Sequence, residues 1–220
     1  MNNNQVSGIL NQVPKLRPIA EKVAAGDIRV EQRKLPDGVQ ALYVPTAGNF
    51  KQEPSIEDAI LINDRPGWDP DNSIYQRSIL VHEAYHGLDD LNLAGHSTGH
   101  LESEVRAWTG QLAYIAEQIA ATADLKAGVE QVIQDAKTSG MAEMEMMTMV
   151  LALRTASVCP AATAAAALLE QRFLECASGI TGIDQLLQNP AESLNGALGL
   201  IYFGSSRSEI KLNGISSKSV

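Results

Sequence analysis

Three side chains in the stretch Ser-Ile-Leu-Val-His-Glu-Ala-Tyr-His-Gly, positions 78–87, have the types and spacing to do chemistry together: His82, Glu83 and His86. A helix turns about 100° per residue, so positions four apart share a face, and His82 and His86 can aim two imidazoles at one metal ion. Glu83 lies about a quarter-turn away, within reach of a water beside that metal without itself being a ligand. Ile79, Leu80, Val81, Ala84 and Leu88 would bury such a helix, and an element that carries ligands must be held still. Chance would produce the pattern in roughly one chain of this length in two hundred. All four histidines (His82, His86, His96 and His100) fall between positions 82 and 100. The plain alternative is a pair of surface or core histidines on an ordinary helix. The apolar setting argues for the metal.

Two histidines do not hold a catalytic metal. A third protein ligand is needed, with a further position left for water. His96, His100, Glu102 and Glu104 are the candidates. A metzincin-type third histidine would stand six residues after His86, where the chain has Asn92, and the glycine expected three residues after His86 is Asp89, so that arrangement is excluded. On a helical wheel Glu104 lies nearer the apolar stripe of its helix than Glu102, by about 20°.

The elements that must position these groups follow from periodicity. Residues 27–33 alternate apolar and polar, as do 39–44 after the Pro36-Asp37-Gly38 turn, and 58–63 forms a third candidate strand. Three short strands make a small sheet whose buried face needs helices. Asn72 or Ser73 can cap the next helix, expected from Ile74 to about Leu88. A Gly-rich loop precedes a second helix from about Leu101 to Ala123, with Leu101, Val105, Trp108, Leu112, Ile115 and Ile119 as its buried stripe. Further helices are expected over 125–137, 141–155, 160–177 and 183–203, the last interrupted at Pro190. Residues 1–14 read as a loose N-terminus, although a short helix from Ile9 to Val23, interrupted at Pro14 and Pro18, is an alternative. Residues 204–220 read as a mobile tail. The fold class is α+β and mostly helical, one domain over 15–203 with a helical C-terminal part from about 125. Trp68 reads as a pin for its loop, and the methionines between Met141 and Met149 as gap-fillers in a helical core.

Composition sets limits. Hydrophobic residues at 45% suffice for a sizeable core, while aromatics at only 5% favour closely packed helices. A net charge of -9 argues against nucleic acid or an anionic membrane as the main partner. Cys159 and Cys176 would lie near opposite ends of one helix, about 25 Å apart, too far for a disulfide, and read as reduced. The N-terminus lacks the charged start and apolar core of a secretory signal. The expected location is the cytoplasm, or outside the cell after export by a specialised injection machine. Nothing in the sequence sets an oligomeric state.

Strands, then a His-Glu-x-x-His helix, a loop, and a helix opening Glu102-Ser103-Glu104-Val105-Arg106-Ala107-Trp108 resemble the gluzincin zinc metallopeptidases over about residues 27–115. In that clan the third ligand is a glutamate on a downstream helix, often with a small residue three positions later. Glu104 with Ala107 fits this form better than Glu102 with Val105. The resemblance implies a zincin-like fold, zinc held by His82, His86 and Glu104, and Glu83 as general base. It further implies a protein or peptide substrate, added as a strand at the sheet edge. The acidic residue that some members carry four positions after the third ligand is Trp108 here, so Asp89 or Asp90 becomes the candidate for orienting a ligand histidine. His96, His100, Tyr75 and Tyr114 are candidate donors to the carbonyl oxygen. The rival expectations are a helical binding protein with a structural or vestigial zinc site, and a zinc amidohydrolase acting on a non-peptide amide.

Overall fold

A computed structural model describes residues 2–36, 38–45, 58–64, 68–93 and 100–203. The fold is α+β and mostly helical, with one small sheet ahead of the histidine-bearing helix. It divides into two compact units, Met1–Ile115 and Ala116–Val220. The expectation of one domain with a helical part from about 125 places this boundary later and less sharply, because the helix that contains it runs through without a break.

The first unit opens with α1 (Asn3–Leu10), where the sequence reads as loose. Asn2 caps it by accepting the Gln5 N–H, and the Gln5 side chain returns to the Asn2 N–H, a reciprocal capping box. Val6, Ile9 and Leu10 follow at helical spacing and are buried, which holds so short a helix in place. A 3-10 turn, Pro14–Leu16, leads into α2 (Arg17–Ala25), which ends at Gly26 with a left-handed φ of 85°. The prolines at 14 and 18 thus begin elements rather than interrupt one.

Strands β1 (Arg29–Arg33), β2 (Ala41–Val44) and β3 (Ala59–Asn63) form a sheet in the order β1-β3-β2. β3 lies in the middle, parallel to β1 and antiparallel to β2. Its alternation explains its place. Ile60 and Ile62 face the core shared with the helices, while Ala59 and Leu61 pack on the other face with Leu35 and Val44.

Helix α3 (Ile74–Leu93) begins where Ser73 Oγ accepts the Gln76 N–H. Residues 78–84 are buried in an unbroken run, so this helix is enclosed on every side there. It continues past Leu88 through Asp89 and Asp90, further than the sequence predicts. Both acids have partners that offset their unfavourable place near a helix C-terminus. Arg106 holds Asp89, and the Tyr43 hydroxyl donates to Asp90 at 3.1 Å. Trp68 packs against the same core, as a loop pin would.

Helix α4 (His100–Ala120) follows, and the boundary between the units falls within it. Its buried face differs from the predicted stripe. Leu101 and Val105 are only half-buried, whereas Glu104, Ala107 and Gln111 are buried with Trp108 and Leu112. The first turns face inward with polar residues because those residues serve the site.

The second unit consists of α5 (Leu125–Thr138), α6 (Glu143–Thr155), α7 (Thr163–Cys176), α8 (Ile183–Gln188) and α9 (Pro190–Phe203), besides the end of α4. Eight consecutive residues of α6, Met146–Leu153, are buried, which makes it the central helix of this unit. Met146, Met147 and Met149 fill that core. Cys159 and Cys176 are free thiols. Among the described residues no helix is long and apolar enough to cross a membrane. Residues 204–220, predicted to be a tail, lie outside the described residues.

Candidate metal centre

His82, Glu83 and His86 occupy successive turns of α3, and Glu104 comes from the second turn of α4. Their convergence depends on how closely the two helices approach. Gly110 of α4 lies under the ring of Tyr85 from α3, and a Cβ there would overlap that ring. Glu104 Oε2 stands 3.5 Å from His82 Nε2, and Glu104 Oε1 stands 3.5 Å from His86 Nε2. One ligand atom from each of the three residues lies within 4.8 Å of the others. Tetrahedral bonds of about 2.0–2.1 Å put neighbouring donor atoms about 3.4 Å apart, so a cation fits the spacing found.

Donor accounting fixes the tautomers. Ser78 Oγ gives its proton to the Tyr75 carbonyl at 2.6 Å, so it accepts from Gln111 Nε2 at 3.0 Å. That orientation turns Gln111 Oε1 toward His82 Nδ1, also at 3.0 Å, and the imidazole must donate from Nδ1. The second histidine has a different chain of partners. Arg106 clasps Asp89 with Nε and a terminal nitrogen at 2.9–3.2 Å, and Ser103 Oγ donates to Asp89 Oδ2 at 2.7 Å. Ser103 can then only accept from His86 Nδ1, 2.8 Å away. Both rings therefore carry the proton on Nδ1 and turn Nε2 toward Glu104. Metal ligation asks for this arrangement, with an outer partner holding each ring.

The electrostatics agree. Burial pushes the His86 pKa down, to about 4, and neighbouring His82 adds to this, so the ring is neutral near pH 7. Burial works in the same sense on His82, but Glu104, Glu83 and Gln111 together outweigh it and raise the pKa. Without a cation, Glu104 and Glu83 thus favour a proton on His82. A cation must displace that proton, so apparent affinity falls as pH is lowered. Glu83 is buried, which raises its pKa despite the opposing effects of His82 and the Tyr43 N–H.

Glu102 is exposed on the first turn of α4, where a carboxylate suits the helix N-terminus. His100 lies at the cluster's solvent side, 59% exposed, with Nδ1 3.6 Å from Glu104 Oε1. His96 lies outside the described residues. Tyr75 and Tyr114 are each 2% exposed in the core. The Tyr114 hydroxyl accepts from Arg77 and donates to Gln12, and the Tyr75 hydroxyl accepts from Gln40. These hydroxyl partners of both tyrosines lie outside the cluster, whereas His100 stands beside it among the described residues.

Asp89 orients His86, but through Ser103, and Asp90 bonds Tyr43 instead. Gln111, Ser78, Ser103 and Arg106 were missed by sequence reasoning. The signal available was their spacing. Gln111 stands two turns after Glu104, and Ser103 directly precedes it.

Ser103→Ala should weaken metal affinity by about 10–100-fold, the usual cost of losing an outer partner of a ligand. Chelator competition on the purified variant measures it, and unchanged affinity would remove Ser103 from the site. Compared with protein families, curated proteins and solved structures, the chain matches none.

Proposed function

We propose that this protein is a zinc-dependent metallopeptidase of gluzincin type, with zinc held by His82, His86 and Glu104. One observation carries the reading. Two imidazoles, His82 buried and His86 partly buried, each with Nδ1 engaged by an outer partner, turn Nε2 toward the same buried carboxylate at 3.5 Å. Leaving two ring nitrogens and a carboxylate clustered in a core, with dedicated polar partners behind them, costs stability unless a cation is the intended occupant. Nitrogen and oxygen donors in this number suit zinc. A bound zinc supplies Lewis acidity, which polarises a carbonyl and makes water a competent nucleophile near neutral pH.

The chain's own residues do the rest. Glu83 takes the proton of the attacking water, and its raised pKa brings it closer to the range a general base needs. The same carboxylic acid then hands the proton to the departing amine. His100, at the solvent side of the cluster, is the candidate donor to the carbonyl oxygen among the described residues. A structural zinc site takes four protein ligands and needs no Glu83. The cluster of described residues supplies three ligands with Glu83 beside them, which favours the hydrolase over the binding protein. A non-peptide amide would meet the same groups, and a substrate screen separates that case.

Metal analysis with add-back tests the reading. Purified protein should carry about one zinc per chain, expected of a three-ligand site. It should cleave a mixed-sequence pool of internally quenched peptides, lose that activity to 1,10-phenanthroline, and regain it with zinc. Peptide cleavage unaffected by chelation would sink the proposal.

A further inference from the structure

Tyr43 fastens the strand beside the cluster to the histidine-bearing helix at Glu83 itself. Tyr43 lies on β2, an edge strand, and its partner Ile60 is on β3. Antiparallel neighbours alternate in direction, and the Asn63 N–H to Gln40 carbonyl bond assigns Gln40 to the β3-facing set. Tyr43 therefore belongs to the set that faces away from β3. Its N–H reaches Glu83 Oε2 at 2.8 Å. Its ring lies against Gly87, where an added Cβ would be 3.1 Å from Cε2, and its hydroxyl donates to Asp90 at 3.1 Å. Residues 83, 87 and 90 share one face of α3. The Tyr43 side chain and amide thus help hold the strand along the face that carries Glu83.

We propose that Tyr43 is the positioning residue for Glu83. Its amide fixes one carboxylate oxygen and leaves the other directed to the reacting water, and its ring and hydroxyl keep that amide in place. The role rests on Glu83 acting as general base. It also bears on the sheet edge. The Tyr43 N–H is already engaged, and Pro45, the next residue of the outward-facing set, has no N–H. At Tyr43 and Pro45 this edge therefore offers an added strand carbonyl acceptors but no free N–H.

The test uses full-length protein with zinc, the quenched-peptide pool, and 15N-labelled samples for NMR. Tyr43→Ala should lower kcat about tenfold or more, since small misplacement of a catalytic group costs up to about 100-fold. KM and zinc content should stay within twofold. Tyr43→Phe keeps amide and ring and should retain most of the activity. Gly87→Ala favours the helix but crowds the ring, so it covers the case in which Tyr43→Ala fails to fold. It should lower kcat with zinc retained. Independently of turnover, Glu83→Ala should move the Tyr43 amide resonance upfield. Folded, zinc-loaded Tyr43→Ala or Gly87→Ala with normal kcat overturns the role, as does an unmoved amide resonance. A pool left intact by the wild type would overturn the hydrolase reading and this role with it, even if the amide resonance moved.

Discussion

Glu104→Ala should yield a protein that folds but no longer retains zinc through dialysis, whereas Glu102→Ala should retain it at the wild-type level. The two carboxylates are two residues apart on α4 and differ in every respect that matters to a cation. Glu104 is 4% exposed and reaches both Nε2 atoms, while Glu102 points to solvent. Losing an outer partner costs about 10–100-fold in affinity, so losing one of three ligands should cost more. The loss is also electrostatic. Two neutral imidazoles remain, with no anion in the cluster except Glu83 to offset a divalent charge. Glu104→Gln separates the contributions, because it preserves volume and one oxygen while removing the charge. Its affinity should fall between wild type and Glu104→Ala. Glu102→Ala should cost only about 0.3–1 kcal/mol of stability, from the helix terminus. Metal content after dialysis and chelator competition decide the matter. Zinc retained by Glu104→Ala, or lost by Glu102→Ala, would move the third ligand elsewhere.

How far this arrangement can be read from the chain depends on which forces leave a trace in residue order. The histidine pair is local, four apart on one helix, and the strand alternation around 60–62 and the Ser73 cap are local too. Glu104 was within reach because its helix keeps a regular phase, although the face it belongs to was misread. A stripe drawn through Leu101 and Val105 assumes that apolar residues go inside, and the first turns of α4 reverse that order to serve the cluster. The outer partners were the least legible. Gln111, Ser78 and Ser103 are uncharged and common, and only the tertiary approach of α3 and α4 gives them a role. The extension of α3 through Asp89 and Asp90 has the same origin, since the compensating Arg106 and Tyr43 are distant in sequence. The N-terminal helix is a different case. Asn2 with Gln5, followed by Val6, Ile9 and Leu10, is a capping box with an apolar face, and the signal was present but masked by polar composition.

Glu83→Gln should retain zinc and the fold while cleaving the peptide pool about 100 to 10,000-fold more slowly, the range that a positioned general base contributes. The substitution is nearly isosteric. A glutamine oxygen can still accept the Tyr43 N–H, so the strand keeps its place on α3. What disappears is the capacity to receive a proton from water and deliver it to the leaving amine. Removing the charge also takes away one of the influences that raise the His82 pKa. The proton displaced on metal uptake is then held less firmly, which offsets part of the attraction lost between the carboxylate and the cation, so zinc should be retained at neutral pH. That retention matters for the interpretation. A general loss of site integrity would lower affinity and activity together, whereas loss of the base lowers activity alone. The comparison also separates the enzyme from a binding protein with an incidental metal site, for which Glu83 has no task and Gln would be silent. Turnover numbers with wild-type and Glu83→Gln protein at matched zinc occupancy provide the measurement. Equal rates would show that the carboxylate beside the histidine pair takes no part in the chemistry.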